Sequence, residues 1–559
     1  MADEPEHFAT PLDELLAQAA NGPLRRLFPT SSGAAFARWL AANPTSALGH
    51  ARDLVGELRR VVSGSSTVEP PRGDRRFTDP AWSSNPLLRR LMQAYLAAGT
   101  AAEATVHDAD LSWRDSERMD FAVSNLIDAV SPTNNPLTNP VAWKALIDTA
   151  GGNLISGPRN LLKDMSSKPR VPSMVDPDAY RVGKDLAVTP GSVVYRSEVL
   201  ELIQYKPQTE NVRSVPLLII PPTINKFYVL DLAPGRSVVE YLVQQGQQAF
   251  VISWRNPGAQ QASWGFDAYA EAILDAFNVT ERIAESGQVH VVAACSGGLL
   301  ACLTAAQRAG TGQLSRLASL SLLVTMIDQV HAGVATAVMD DTTARAAIAK
   351  SKKQGYLDGR DLAEVFAWLR PNDLIWNYWV NNYLRGQSPP KFDILFWNAD
   401  TTRMSAALHR DFVESALGNK MSQPGAITVL GTPVALGDIT VDSYVVAGSA
   451  DHICPWENCY RSSQLLGGAV RFVLSTNGHI AALVNPPGNP KSRYQVSDDN
   501  SLPADQWRTT TPVTKGSWWP DYASWLGDRS GDEKPAPTSL GSVDYPPIDT
   551  APGTYVMTR

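Results

Sequence analysis

The stretch Val291-Val-Ala-Ala-Cys-Ser-Gly-Gly-Leu-Leu300 runs a nucleophile directly from an apolar segment into a helix-forming one. Small residues on both sides are what a backbone needs to make a strained strand-to-helix turn that lifts one side chain out of a sheet. Two registers compete for that side chain. Ala293-x-Cys295-x-Gly297 selects Cys295, and Ala294-x-Ser296-x-Gly298 selects Ser296; both carry Ala where the first Gly is usual. Position in the turn favours Cys295. So does reactivity, because helix-terminal N–H groups and the helix dipole stabilise a thiolate. A tight turn without chemistry is the bland alternative for this motif taken alone.

A thiol nucleophile needs a base, and the base needs an orienting acid. Where a strand–elbow–helix unit carries the nucleophile, the chain order is nucleophile, acid, base. Asp451 closes the segment Tyr444-Val-Val-Ala-Gly-Ser-Ala-Asp451, and His479 closes Ser475-Thr-Asn-Gly-His479 after a further apolar run. His479 is expected to deprotonate Cys295, with Asp451 orienting its imidazole. His452, beside Asp451, points differently and reads as a supporting or structural residue. His290 lies within an apolar run and reads as a core histidine, while His331 and His409 lie in a later interval without this context. An oxyanion needs two backbone donors. The N–H of Ser296 is one, and Ile224 or Asn225, in the loop Pro221-Pro-Thr-Ile-Asn225, is the expected source of the other, unless that loop is merely a rigid Pro-Pro turn.

These residues can meet only at one edge of a sheet. Apolar runs recur at Val193 to Tyr195, Val199 to Tyr205, Val215 to Ile220, Ala249 to Trp254, Val289 to Ala294, Leu320 to Ile327, Ser443 to Gly448 and Val470 to Leu474. Helical windows such as Ser237 to Gln245 and Tyr269 to Glu285 lie between most of them. Near-continuous apolar strands alternating with helices predict a mostly parallel sheet covered on both faces, an α/β-hydrolase fold. This catalytic domain is expected over residues 201–559.

Residues 1–200 read as a mostly helical N-terminal domain, with a flexible stretch expected over the first 70 or so; Asn85-Pro86 gives a helix start before Leu87 to Ala98. Residues 330–435 break the strand–helix alternation and hold Phe366, Trp368, Trp376, Tyr378, Trp379, Tyr383, Phe392, Phe396 and Trp397. Most such rings are core, but an insertion after a strand sits at the carboxyl edge where ligands bind. A cap or lid over the site, also able to serve as a dimer surface, is predicted. From about residue 530 the chain is rich in Pro, Gly, Ser and Thr and is expected to wrap the surface without regular structure.

Composition excludes several classes. With 44% apolar and 19% charged residues and a net charge of −7, the chain is neither disordered nor basic enough to suggest nucleic acid. The acidic N-terminus is unlike a secretory signal, and no apolar run approaches bilayer length, so a cytoplasmic protein without a transmembrane segment is expected. Four cysteines (295, 302, 454 and 459) make no disulfide scaffold. Cys454 and Cys459 are too loosely spaced for a zinc half-site and read as ordinary thiols, and Cys302 as a core residue; no metal or other cofactor is expected.

Longer segments carry a resemblance. Asp74-Arg-Arg-Phe-Thr-Asp-Pro-Ala-Trp82, Leu200-Glu-Leu-Ile-Gln-Tyr-Lys-Pro207, Pro221-Pro-Thr-Ile-Asn-Lys-Phe-Tyr228, Ser253-Trp-Arg-Asn-Pro257, Ala294-Cys-Ser-Gly-Gly298, Arg370-Pro-Asn-Asp-Leu-Ile-Trp-Asn-Tyr-Trp-Val-Asn-Asn382, Phe392-Asp-Ile-Leu-Phe-Trp-Asn398, Gly478-His479 and Asn485-Pro-Pro-Gly-Asn-Pro490 resemble the polyhydroxyalkanoate synthases, most closely the class acting on medium-chain substrates. The departure is Ala293, where the family's lipase-like box usually has Gly. The resemblance assigns the family's Cys, Asp and His to Cys295, Asp451 and His479. It implies polymerisation of (R)-3-hydroxyacyl-CoA into a polyester with release of CoA, by a homodimer associated with cytoplasmic polymer granules. Two other readings stay open: a thioesterase or polyester depolymerase with the same triad, and a non-catalytic protein of the granule surface.

Overall fold

The computed structural model describes residues 30–330 and 341–559. Its N-terminal part is a set of helices: Thr30–Ala42 (α1), Pro44–Ser63 (α2), Pro86–His107 (α3), Trp113–Ala129 (α4), Pro140–Asp148 (α5) and Asn153–Met165 (α6). Local chemistry explains where they start. Asn85 accepts from the N–H groups of Leu87 and Leu88 at 2.9 and 3.2 Å with Pro86 in the first turn, and Ser112 and Asn139 cap α4 and α5 in the same way. The start at Asn85-Pro86 is the predicted one. Within the first 70 or so residues, where a flexible stretch is expected, 30–42 and 44–63 are helical and those before 30 lie outside the described residues.

The apolar runs become strands. Gly191–Arg196 (β1) and Leu200–Tyr205 (β2) pair antiparallel. Leu217–Ile220 (β3), Ala249–Trp254 (β4), Val289–Ala294 (β5), Leu317–Leu323 (β6), Ser443–Gly448 (β7) and Val470–Ser475 (β8) lie parallel in the order β4-β3-β5-β6-β7-β8. Arg493–Ser497 (β9) and Val513–Lys515 (β10) continue past β8, and β2 and β1 continue past β4, all antiparallel. Asp549–Thr550 (β11) pairs with β1, so among the described residues the sheet has eleven strands.

Alternation sorts the side chains into two cores. Leu218, Ile220, Val291, Ala293, Leu320 and Leu322 pack to one side with the helices Phe266–Ala284 (α7) and Ser296–Gly310 (α8). Leu217, Ile219, Val292, Leu323 and Val446 pack to the other with Trp518, Tyr522 and Trp525. Both faces are therefore buried, which is why these strands carry no polar face in the sequence. The parallel register also brings the ends of β3, β5, β6, β7 and β8 to one edge, with Ile220 opposite Ala293 and Ala294 opposite Leu323. Pro221, Cys295, Asp451 and His479 all leave the sheet there.

Two expectations change. The tail after residue 530 does use regular pairing: Glu533–Pro535 pairs with Asn211–Arg213, and β11 joins the main sheet. Strands of two or three residues carry no periodicity, so their pairing is dictated by the partner strand rather than by their own sequence. The aromatic row of the insertion is also spent differently from a simple lid. Trp368, Trp376, Trp379 and Tyr383 form a chain of edge contacts with centroids 5.2–6.4 Å apart. Its far end docks on the N-terminal helices: Trp379 donates to the Asn134 carbonyl at 3.0 Å, and Tyr383 to Asp164 at 2.8 Å. Gly157 of α6 meets the same segment so closely that a Cβ there would lie 2.0 Å from the Tyr383 carbonyl oxygen. Another part of the insertion does reach the site edge, where Trp397 donates to the Lys226 carbonyl at 2.7 Å. His331 lies outside the described residues.

Trp379 therefore ties the insertion to the N-terminal helices. Trp379→Ala is expected to cost about 2 kcal/mol, below the range for a fully buried tryptophan. The change is read as faster limited proteolysis of residues 130–170 with the sheet still protected.

Candidate active site

Cys295 follows β5 and precedes α8 with φ +50° and ψ −123°, a backbone that non-glycine residues avoid. The turn is held from several sides. The Cys295 N–H donates to the Leu323 carbonyl at 2.9 Å, and its carbonyl accepts from Gly298 N–H at 2.9 Å to begin α8. Gly297 and Gly298 are required by close approach rather than by left-handed backbone: a Cβ on Gly297 would lie 2.3 Å from the Pro221 carbonyl oxygen, and one on Gly298 would lie 2.1 Å from the Thr325 hydroxyl. Ala293, where glycine is usual, sits within β5 and is fully buried beside Ile220 and Leu322, so its methyl is part of the core.

Ser296, the rival nucleophile, has no exposure, and its hydroxyl is engaged. It lies 2.9 Å from the donating N–H of Thr223 and 3.0 Å from the Thr223 hydroxyl. Ser296 thus ties the elbow to the loop 221–225. Trp254 holds the same loop by donating to the Pro221 carbonyl at 3.0 Å. Within it Ile224 is nearly buried, and Asn225 adopts a left-handed backbone at φ +63°.

Asp451 stands after β7 with its side chain fully buried and no Lys or Arg as ion-pair partner among the described residues. One carboxylate oxygen accepts from the N–H groups of Ile453 and Cys454 at 2.8 and 2.9 Å. The other accepts from Nδ1 of His479 at 2.7 Å. His479 begins a short helix, His479–Leu483, after β8. Its Nδ1 is committed to Asp451, which leaves Nε2 to face the sulfur of Cys295. The structure therefore brings Cys295, Asp451 and His479 together.

Electrostatics polarise this group. The Cys295 thiol is held well below its ordinary value, first by a hydrogen bond from the Cys454 thiol, against burial, and then by the imidazole of His479 and the N–H of Ser296. Burial opposes charge on His479, but Asp451 and Cys295 outweigh it and raise its pKa. Both shifts favour a thiolate–imidazolium pair at neutral pH. The Ser296 N–H thus faces the Cys295 sulfur.

The remaining candidates separate cleanly. Burial pushes His452 down to about 4, and its buried Nδ1 has no partner among the described residues. His290 is fully buried between Ser319 and Ser530 and also falls to about 4, as a core histidine should. His409 is buried against Ser351 at 2.7 Å, and Cys302 is a core thiol pushed up to about 12 by burial. The correction concerns Cys454. Read as an ordinary thiol, it stands in the site, with Cys295, Cys454 and His479 offering sulfur and nitrogen atoms all within 4.8 Å of one another. Its one sequence signal was position: an acidic residue often accepts from N–H groups two and three residues on, which turns the third side chain back toward whatever the acid faces.

A parallel sheet with a strained elbow at the end of a central strand, and acid and base after its last two parallel strands, defines an α/β-hydrolase-type protein. An "alpha/beta hydrolase fold" family model matches residues 216–486, and "Poly-beta-hydroxybutyrate polymerase (PhaC) N-terminus" matches residues 73–242. The chain is 43% identical over 98% of its length to poly(3-hydroxyalkanoate) polymerase 1 of Ectopseudomonas oleovorans, covering 99% of that protein. It is also 43% identical to polymerase 2 of the same organism, over 92% of each chain, and 36% identical to the polymerase subunit PhaC of Cupriavidus necator, over 91% of this chain and 87% of that one. The chain belongs to the poly(3-hydroxyalkanoate) polymerase family.

Three outcomes follow from the geometry. Because the thiol is shifted down and the imidazole up, the ion pair exists over a window that extends to both sides of neutrality. Alkylation of Cys295 by iodoacetamide should stay fast at pH 6, where an ordinary thiol of pKa roughly 8.5 is almost wholly protonated. Asp451→Asn should move the onset of alkylation to higher pH. Gly297→Ala should lose activity with little gain in helix stability, because the added methyl displaces the Pro221 carbonyl; activity within twofold of the parent would refute the close approach.

Proposed function

We propose that the protein polymerises (R)-3-hydroxyacyl-CoA, with medium-chain acyl groups preferred, into a polyester with release of CoA. Cys295 is the nucleophile, His479 the base and Asp451 the group that orients His479 or assists the attacking hydroxyl. The observation that carries this reading is the thiol–imidazole–carboxylate array at the sheet edge, in a chain of this family. Its acyltransfer proceeds in two displacements. The Cys295 sulfur attacks the acyl-CoA carbonyl, and the acyl–sulfur bond of CoA breaks as the new one forms; His479 returns a proton to the departing CoA sulfur. A chain-end hydroxyl then attacks the acyl-cysteine, giving its proton to His479 and regenerating the thiol.

Sulfur suits this sequence. Exchanging one thioester for another leaves the acyl group activated, and the later conversion to an oxoester is downhill. A serine would lose that activation in the first displacement. The developing oxyanion is met by the N–H of Ser296 and by that of Ile224 or Asn225; the Thr223 N–H is already used by Ser296. A hydrolase would use the same three residues and differ only in admitting water. The insertion over the loop 221–226 supports exclusion of water.

Association with cytoplasmic polyester granules, as a homodimer, belongs to the same proposal. Leu137, Trp143, Ile147, Leu154, Ile155 and Leu162 are exposed by 48–77% on and before α5 and α6, an apolar row suited to a polyester surface. No helix among the described residues is long and apolar enough to cross a membrane.

Purified protein with (R)-3-hydroxydecanoyl-CoA should release CoA and form polymer. Cys295→Ala should lower release by about a thousandfold or more. Ser296→Ala should keep making polymer, slowed by about tenfold, since only the tether to Thr223 is lost. Free hydroxy acid in place of polymer would make the protein a hydrolase. Replacing Ile147, Ile155 and Leu162 by Asp should release the protein from granules while soluble turnover continues.

A further inference from the structure

The Cys454 thiol donates to Cys295 but takes part in no bond-making step of polymerisation. It is 3% exposed, and its own N–H anchors Asp451 at 2.9 Å, so the turn that fixes the acid also fixes this sulfur. The sulfurs of Cys295 and Cys454 and a ring nitrogen of His479 all lie within 4.8 Å of one another. Each of the three residues is less than 10% exposed.

Two sulfurs and an imidazole are the donor set of a thiophilic d10 cation, not of Mg2+ or Ca2+, which take oxygen. With metal–sulfur bonds of about 2.3 Å and metal–nitrogen bonds of about 2.0–2.1 Å, a tetrahedral ion holds such donors about 3.5–3.8 Å apart. The observed spacing reaches that with side-chain movements of about an ångström. The outer partner is also in place. A metal-bound histidine almost always donates its other nitrogen to a carboxylate or carbonyl, and Nδ1 of His479 already donates to Asp451 at 2.7 Å. Three protein ligands leave a fourth position for water.

We propose that Cys295, Cys454 and His479 form a site for one thiophilic divalent cation of the Zn2+ class, and that its occupation switches the enzyme off. Binding displaces the Cys454 thiol proton and the proton shared by Cys295 and His479 to solvent; no oxidation is involved. Because nucleophile and base become ligands together, the ion and acyl-CoA exclude one another. The inhibition rests on the polymerase reading above, whereas the metal site does not.

The test uses the full-length reduced protein, freed of metal, titrated with Cd2+ and with Zn2+. One equivalent of Cd2+ should produce a sulfur-to-metal charge-transfer band, and X-ray absorption of the wild-type zinc complex should show two sulfurs at about 2.3 Å with at least one imidazole. Cys454→Ala should weaken zinc binding by roughly 100-fold or more, since losing a direct ligand costs at least as much as losing an outer partner. Relative to its own metal-free rate, that variant should need correspondingly more zinc for half-inhibition of CoA release. No band, a shell without two sulfurs, or Cys454→Ala binding zinc as tightly as the parent would overturn the proposal. Polymer formation in a protein without the metal site sinks the proposal and leaves the polymerase reading standing. A metal site in a protein that makes no polymer upholds the site and sinks that reading instead.

Discussion

The left-handed backbone at Cys295 is the constraint on which the rest of the site depends. A non-glycine residue at φ +50° costs on the order of 1 kcal/mol or more, so it persists only where its surroundings hold it. Here they do so without space to spare. Gly297 lies under the Pro221 carbonyl and Gly298 under Thr325, while the Cys295 N–H is fixed to the end of β6. Relaxing the turn would drive a helix into the ends of two strands. The strain thus rests on the parallel core, whose buried leucines, isoleucines and valines each contribute about 1.5–3 kcal/mol.

Charge is managed by a second constraint. Asp451 is buried with His479 as its one ion-pair partner among the described residues, and two backbone N–H groups satisfy the oxygen that His479 does not. Held in this way, the Asp451 side chain keeps the imidazole of His479 basic. His452, one residue on, shares none of this geometry and stays neutral. Adjacent residues thus differ in role because successive side chains leave the turn in different directions.

The insertion and the C-terminal tail meet at the same edge. Aromatic rings in the insertion bind the N-terminal helices, while Trp397 and the C-terminal carbonyls of Val556 and Thr558 converge on Lys226, next to the oxyanion loop. The buried Lys226 ammonium is satisfied by carbonyls and by Asp400 nearby at 3.7 Å. Burying that amine is costly unless each partner is present. The tail is therefore built into the wall behind the site.

Much of this was legible in the sequence because it is local. Runs such as Ala249 to Trp254 and Val289 to Ala294 match their strands because burial on both faces leaves an unbroken apolar signature. The elbow showed itself through Gly297 and Gly298, and the Asn85 cap through its proline. Asp451 and His479 could be singled out because they follow successive late strands, whose ends share an edge in a parallel sheet. Other features left no such mark. Beyond its place three residues after Asp451, nothing marks Cys454 as a neighbour of Cys295, nothing near Trp379 names Asn134 as its acceptor, and the strand at Asp549 exists only because β1 offers an edge. By itself, then, the sequence determined which segments are the central strands, where the chain turns sharply and which residues are candidates for the chemistry. Only the tertiary structure decided what stands beside them, because contacts between residues far apart in the chain depend on register and loop path, which periodicity and short motifs do not encode.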